Sequence, residues 1–319
     1  MSSLQQVIST KKAALAEAVE NPLEAIANAL AALWPDIETA NTLLVDQKKN
    51  VPYSHLLYVM DVNGRQLSAN ISHEGADATW CNQDLSQRPF FTNTSLPFKG
   101  MILSRAYLSD RSLQSCITAI HAINLGDQLL GFLAADFNIT DLPANPLTAV
   151  QSNKWQQFRG DPAVRNTLFM QERVNSLMDQ HLNELNILMD NLITQHGVFH
   201  TKLHYSSGRC SLWLYDDPYH YRIHSVEEII NPEICLAYPQ RDYPEDALVP
   251  QDQVLLVLEH MKKLRYADET IYLRSGSLNI MNGMVGLTFS CDGSHYVSFA
   301  EFLDKNETFW FGIPRKELA

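Results

Sequence analysis

The spacing of hydrophobic positions changes several times along the chain, and each change predicts a different element. Leu23, Ile26, Leu30 and Leu33 recur at intervals of three and four, one face of a helix. Asn21 is a good N-cap, and proline is favoured in a first helical turn, so Asn21-Pro22 predicts a helix start. Trp34-Pro35 interrupts the pattern, because proline disfavours helix in the residue before it. A second helix is expected over 37–48, so that residues 1–50 form the N-terminal helices.

Residues 51–142 switch to strand periodicity. The run 55–61 (HLLYVMD) is of the buried strand type and is followed by the turn pair Asn63-Gly64. Residues 65–71 alternate, which predicts a hairpin. Further strands are expected at 102–108, 113–123 and 129–137, with Gly126-Asp127 as a tight turn between the last two.

Pro143, Pro146, Gly160 and Pro162 mark an irregular linker, and a long helix is expected over 162–196, closed by Gly197. Within it Met178, Leu182, Leu185, Met189 and Leu192 step 4-3-4-3, the spacing of a coiled-coil seam. Such a stripe either packs on its own domain or joins two copies of the chain.

Residues 198–319 read as a second α+β domain. Strands are expected at 200–205, 211–215, 270–274, 284–290, 296–302 and 308–312, with a helix over 251–265. Gly208, Gly276, Gly283 and Gly293 stand between them as turns.

Composition narrows the classes of function. The chain has 319 residues, 45% of them hydrophobic and 19% charged, enough to build two cored domains. Its formal net charge of −12 argues against nucleic acid and against anionic lipid, both of which need clustered Lys and Arg. No run of about 18 apolar residues exists, and the first residues lack a cleavable leader pattern. Five scattered cysteines, never in CxxC spacing, fit free thiols in a cytoplasmic protein.

Three segments in residues 52–142 carry a resemblance. They are LLYVMDVNGRQLSANIS at 56–72, DLSQRPFF at 84–91 and GFLAADFNITDL at 131–142, with ILSRAYLSDRSLQSCITAIHAI at 102–123 between the last two. In this order they resemble the Cache (PDC, PAS-like) sensor family. The resemblance covers under a third of the chain. It implies a curved antiparallel sheet of about five strands, PAS-like, behind long N-terminal helices, with a small ligand between the sheet and an overlying loop-helix segment. The expected class is thus α+β, with a connecting long helix and a second α+β domain. The expected divisions are 1–50, 51–142, 143–197 and 198–319.

Several site residues follow. Arg88 matches the family's arginine that holds a ligand carboxylate, and its planar fork suits that task. The alternative is a surface salt bridge to Asp84. Phe90 and Phe91 are expected to wall the pocket. Asp136 matches an acidic residue that faces a ligand amine. A carboxylate between Ala135 and Phe137 needs a cationic partner if buried, either ligand or Arg88 or Arg105. Tyr107 matches a pocket tyrosine, and Arg105, two residues away on one expected strand, faces the same side. Lys99 and His121 are weaker candidates.

Amino-acid-binding members carry Trp and Tyr where this chain has Phe90 and Phe91, and a second acidic residue where it has Ser109. A carboxylate, a small amine or a purine-like molecule therefore stands beside an amino acid as the expected ligand.

Enzyme chemistry finds little footing. His200 and His204, like His220 and His224, show HxxxH spacing, but strand residues four apart lie roughly 13 Å apart, too far for one ion. The acidic pairs Asp216-Asp217, Glu227-Glu228 and Glu245-Asp246 fit solvated or capping roles. No GxSxG, Walker or GxGxxG pattern appears. The expectation is a cytoplasmic small-molecule sensor without cofactor, acting through its flanking helices on a partner protein or a second copy. The alternatives are a ligand-free PAS-like scaffold and a metal-dependent enzyme in 198–319.

Overall fold

The computed structural model describes residues 3–92, 98–143, 173–291, 293–305 and 309–310. Two compact units divide the chain, Met1–Pro146 and Leu147–Ala319.

The first unit begins with α1 (Ser3–Leu33), one continuous helix that contains Pro22. The expected start at Asn21-Pro22 is therefore corrected. Proline removes one ladder hydrogen bond, yet Leu15 and Val19 before it and Leu23, Ile26 and Leu30 after it are all buried. Packing on both sides of the break keeps the helix whole. After Trp34-Pro35, Asp36 accepts from Thr39 N and Oγ1 and caps α2 (Ile37–Gln47).

The strands are β1 (Leu56–Asp61), β2 (Asn70–Ser72) and β3 (Gly75–Asp77). The short helix α3 (Pro89–Thr92) precedes β4 (Met101–Leu103), β5 (Tyr107–Leu108), β6 (Ser115–Leu125) and β7 (Gln128–Asn138). They form one antiparallel sheet in the order β3-β2-β1-β7-β6-β4, with β5 also on β6. Side-chain alternation divides its central strands cleanly. Leu57, Val59, Ile117, Ala119, Leu133, Ala135 and Phe137 point to one face, where α1 packs on β6 and β7. Leu56, Tyr58, Met60, Cys116, Ile120, Phe132 and Ala134 form the core of the other face with Leu85, Phe90 and Tyr107.

Two expected strands are shorter than their patterns. Residues 65–71 yield only β2, because the chain dips inward first: Ser68 Oγ accepts from Val59 N at 2.7 Å, and Gln66 and Ser68 are buried. Residues 102–108 split into β4 and β5 around 104–106, where Ser104 Oγ accepts from Thr118 N.

The second unit contains α4 (Leu177–Gln180) and α5 (Leu182–Gln195), broken at His181 where a single helix was expected; residues 162–172 lie outside the described residues. Met178, Leu182, Leu185, Met189 and Leu192 are all buried. The stripe packs within its own unit, against the helix Val254–Tyr266 and the strand Val198–His204, which leaves it no face for a seam between copies.

Next come β8 (Val198–His204), β9 (Arg209–Leu214) and β10 (Asp217–Ser225), then α6 (Val226–Ile229), α7 (Ile234–Ala237) and α8 (Val254–Tyr266). The unit continues with β11 (Leu273–Asn279), β12 (Met284–Phe289), β13 (Ser294–Ser298) and α9 (Phe299–Asp304). Its six-stranded antiparallel sheet runs β10-β9-β8-β11-β12-β13. The expected strand at 296–302 ends at Ser298, whose Oγ accepts from Glu301 N and starts α9 instead. At 308–312, Phe309 and Trp310 are helical, and the rest lies outside the described residues. Gly276 is not a turn but a mid-strand residue of β11, where a Cβ would stand 2.7 Å from Met261 Sδ.

Arg265 anchors this unit from within. It is completely buried, and its Nε and Nη2 bond both oxygens of Asp179 at 2.7 and 2.8 Å. Nη1 donates to Leu273 O, and the rings of Tyr272 and Tyr205 lie 5.0 and 5.8 Å from the guanidinium carbon.

Candidate functional site

A pocket opens on the first unit's sheet, on the face away from α1. It is a small, half-open cleft with a cavity volume of about 60 Å³. Leu56, Tyr58, Leu85, Phe90 and Trp80 supply apolar wall, and Asp136, Arg88, Arg111, Gln66, Asn70, Tyr107 and Ser109 supply the polar groups.

Asp136 occupies the middle of the sheet. In β7 it pairs with Leu56 of β1 on one side and Thr118 of β6 on the other. Thr118 Oγ1 donates to its Oδ1 at 2.7 Å, and Tyr58 OH donates to the same oxygen at 3.3 Å. Since Thr118 has only one hydroxyl hydrogen, the 2.8 Å contact between Tyr107 OH and Thr118 Oγ1 is a bond donated by the tyrosine. Oδ2 of Asp136 carries no hydrogen bond and no ion pair among the described residues. Burial pushes the carboxyl up to about 6, against the opposing pull of Thr118, Tyr58, Arg88 and Arg111. The same burial, reinforced by the Asp136 charge, raises the phenols of Tyr58 and Tyr107 well above their ordinary value.

Both guanidinium groups come from connecting segments. Arg88 precedes α3 and lines the pocket while Nη1 donates to Asp110, an exposed partner on the rim. The alternative expected for Arg88, a salt bridge to Asp84, is not what forms: Asp84 accepts from Ser86 N in its own turn. Arg111 lies 3.6 Å from Asp77, with its guanidinium 5.2 Å from the Trp80 ring centre. Neither arginine forms an ion pair with Asp136.

The structure thus gathers Arg88, Phe90, Tyr107 and Asp136 at one pocket and leaves the other candidates outside it. Phe91, next to Phe90, turns away and packs edge-on against Phe132 at 5.8 Å. Arg105 is exposed in the break between β4 and β5, so it does not share the face of buried Tyr107. A continuous strand was the premise for pairing them, and Ser104 ends it. Lys99 pairs at the surface with Asp127, and His121 faces α1, where its ring bonds Ala122 O.

Sequence reasoning missed Tyr58, Gln66, Asn70, Trp80 and Arg111. Tyr58 was visible as a polar-tipped residue inside a buried strand. The others sit in loops or in the three-residue strand β2, whose path no periodicity reveals.

In the second unit, His200 stacks on Trp213 at 4.4 Å, and His224 bonds Tyr238 OH and Glu228. His220 pairs with Asp217. Burial lowers His200 and His204 to about 4. Among the described residues no group of three or more His, Cys, Asp or Glu side chains is placed to hold a metal. No described helix is long and apolar enough to cross a membrane.

No protein-family model matches the sequence, and no curated protein does. Solved structures do. One is the ligand-binding domain of the Campylobacter jejuni chemoreceptor Tlp3 in complex with L-valine, at 19% identity over 44% of this chain and 58% of that one, TM-score 0.36. Another is the ligand-binding domain of the Pseudomonas fluorescens chemoreceptor CtaA in complex with L-serine, at 15% identity over 44% and 56%, TM-score 0.31. A third is an extracellular ligand binding receptor from Desulfohalobium retbaense DSM5692, at 14% identity over 43% and 24%, TM-score 0.36. The match spans under two thirds of the length of each of these structures. These neighbours are ligand-binding and receptor domains.

Proposed function

We propose that the first unit is a sensor module that binds a small metabolite carrying both a carboxylate and an amine. The observation that carries this reading is the free Oδ2 of Asp136, a half-buried carboxylate without a cationic partner, in the same pocket as two guanidinium groups. A partly buried charge held in a low-dielectric site is costly unless paired, and a ligand ammonium supplies the pair. Arg88 offers the ligand carboxylate a two-pronged contact in exchange for Asp110, an exposed rim partner that water can take over. Arg111 adds positive potential from the Trp80 side. Phe90, Leu56 and Leu85 enclose the apolar part of the ligand. Tyr107 acts through Thr118, fixing the direction of the bond that Thr118 gives Asp136.

The role is binding and signalling, not turnover. A ligand shifts a protein only as far as it binds two arrangements differently. β6 carries Thr118 on the pocket face and packs α1 on the other, which makes α1 the nearest element to receive a shift.

Titration calorimetry at neutral pH with amino acids, dicarboxylates and simple amines tests this. A zwitterion is expected to bind, and Arg88→Ala and Asp136→Asn are each expected to weaken it by about tenfold or more. Absence of any binder in that panel, or full affinity in both variants, overturns the proposal.

A further inference from the structure

The pocket holds a second polar pair, Gln66 and Asn70, both more than nine-tenths buried. Their orientations are fixed by a group that cannot reverse. Ser68 O is a backbone carbonyl and only accepts, so the atom that approaches it at 2.9 Å must be Gln66 Nε2. The second hydrogen of that nitrogen goes to Asn70 at 2.9 Å, and the atom receiving it must be Oδ1. This leaves one acceptor, Gln66 Oε1, and one donor, Asn70 Nδ2. Neither has a hydrogen-bond partner among the described residues, and neither is sealed from solvent. Asn70 also pairs with Asp77 across β2 and β3, so its backbone is held in the sheet.

We infer that Gln66 and Asn70 determine ligand specificity by reading a neutral group that both donates and accepts, and that the ligand is a zwitterion whose side chain ends in a carboxamide. This rests on the proposed function of the pocket. The carboxamide NH₂ donates to Gln66 Oε1, and its carbonyl accepts from Asn70 Nδ2. A carboxylate in that place would turn an oxygen toward the Gln66 oxygen. An aliphatic tail would leave both amides buried without partners, the situation that polar sites reject most strongly.

Wild-type protein titrated with glutamine, asparagine, glutamate, aspartate, norvaline and norleucine tests the inference. Glutamine or asparagine is expected to bind at least about tenfold more tightly than its acid and than the aliphatic compounds. Asn70→Asp keeps the acceptor for Gln66 and converts the free donor into an acceptor, so it is expected to erase that preference. Equal or tighter binding of the aliphatic or acidic compounds to wild type overturns the specificity reading while leaving the pocket's proposed function standing. So does an amide preference that survives in folded Asn70→Asp. Binding of no compound in either panel removes both.

Discussion

Replacing Asp136 by asparagine is expected to stabilise the unliganded first unit at neutral pH. The carboxyl stands at about 6 in the fold against its ordinary 3.8. At about 1.36 kcal/mol for each pH unit, that difference amounts to about 3 kcal/mol of cost in keeping the group ionised. Water reaching Oδ2 through the pocket mouth reduces the figure, so a gain of about 1–3 kcal/mol is expected. Asparagine keeps an Oδ1 for the hydrogens of Thr118 and Tyr58 and turns a neutral NH₂ toward the pocket in place of the charged Oδ2. The sign follows from proton counting. Below 3.8 the acid is neutral in both states and costs nothing. Between 3.8 and about 6 the folded state holds a proton that the unfolded chain releases, so the wild type loses stability as pH rises. Above that range the full cost is present and constant. Calorimetric melting of wild type and variant from about pH 4 to 8 should show curves that coincide in acid and separate through this window. A variant less stable than wild type near neutrality, or a gap that does not change with pH, would refute the reasoning. Either result would mean that the carboxylate already has a cation holding it.

Two further outcomes concern the second unit. Arg265→Met strands Asp179 inside it and is expected to cost about 3–5 kcal/mol, seen as a lower melting temperature, with Asp179→Leu/Arg265→Met recovering much of the loss; a single variant that melts with the wild type would contradict it. Leu185→Ala is expected to cost about 2–5 kcal/mol of stability without altering the mass measured by light scattering, because its side chain is spent within its own unit; a change from dimer to monomer would restore the intermolecular seam.

What the sequence made legible were the long elements. The strands expected at 113–123 and 129–137 correspond to β6 and β7. Gly131 shows the reason for one motif residue: a Cβ there would strike Met60 O across the β1–β7 pair. Pro22 misled because local propensity was weighed without the burial of Val19 and Leu23 that overrides it. The strand at 217–225 was hidden by Pro218 and by a register shift between Asp217 and Tyr221. Arg111, Gln66 and Asn70 reach the pocket along loop paths that depend on single bonds, such as Ser68 Oγ to Val59 N. The ion pair of Asp179 and Arg265 joins residues 86 apart, a distance over which spacing carries no information.

The acid of the pocket and its bases have unequal mounting. Asp136 is stitched into the middle of a sheet between two long neighbours, whereas Arg88 and Arg111 hang from connecting segments. An occupant that bridges them draws slack chain toward a fixed post. The imprint of occupancy should therefore appear as slowed amide hydrogen exchange around residues 80–92 and 104–114, while the protons of β7, already locked, exchange as before.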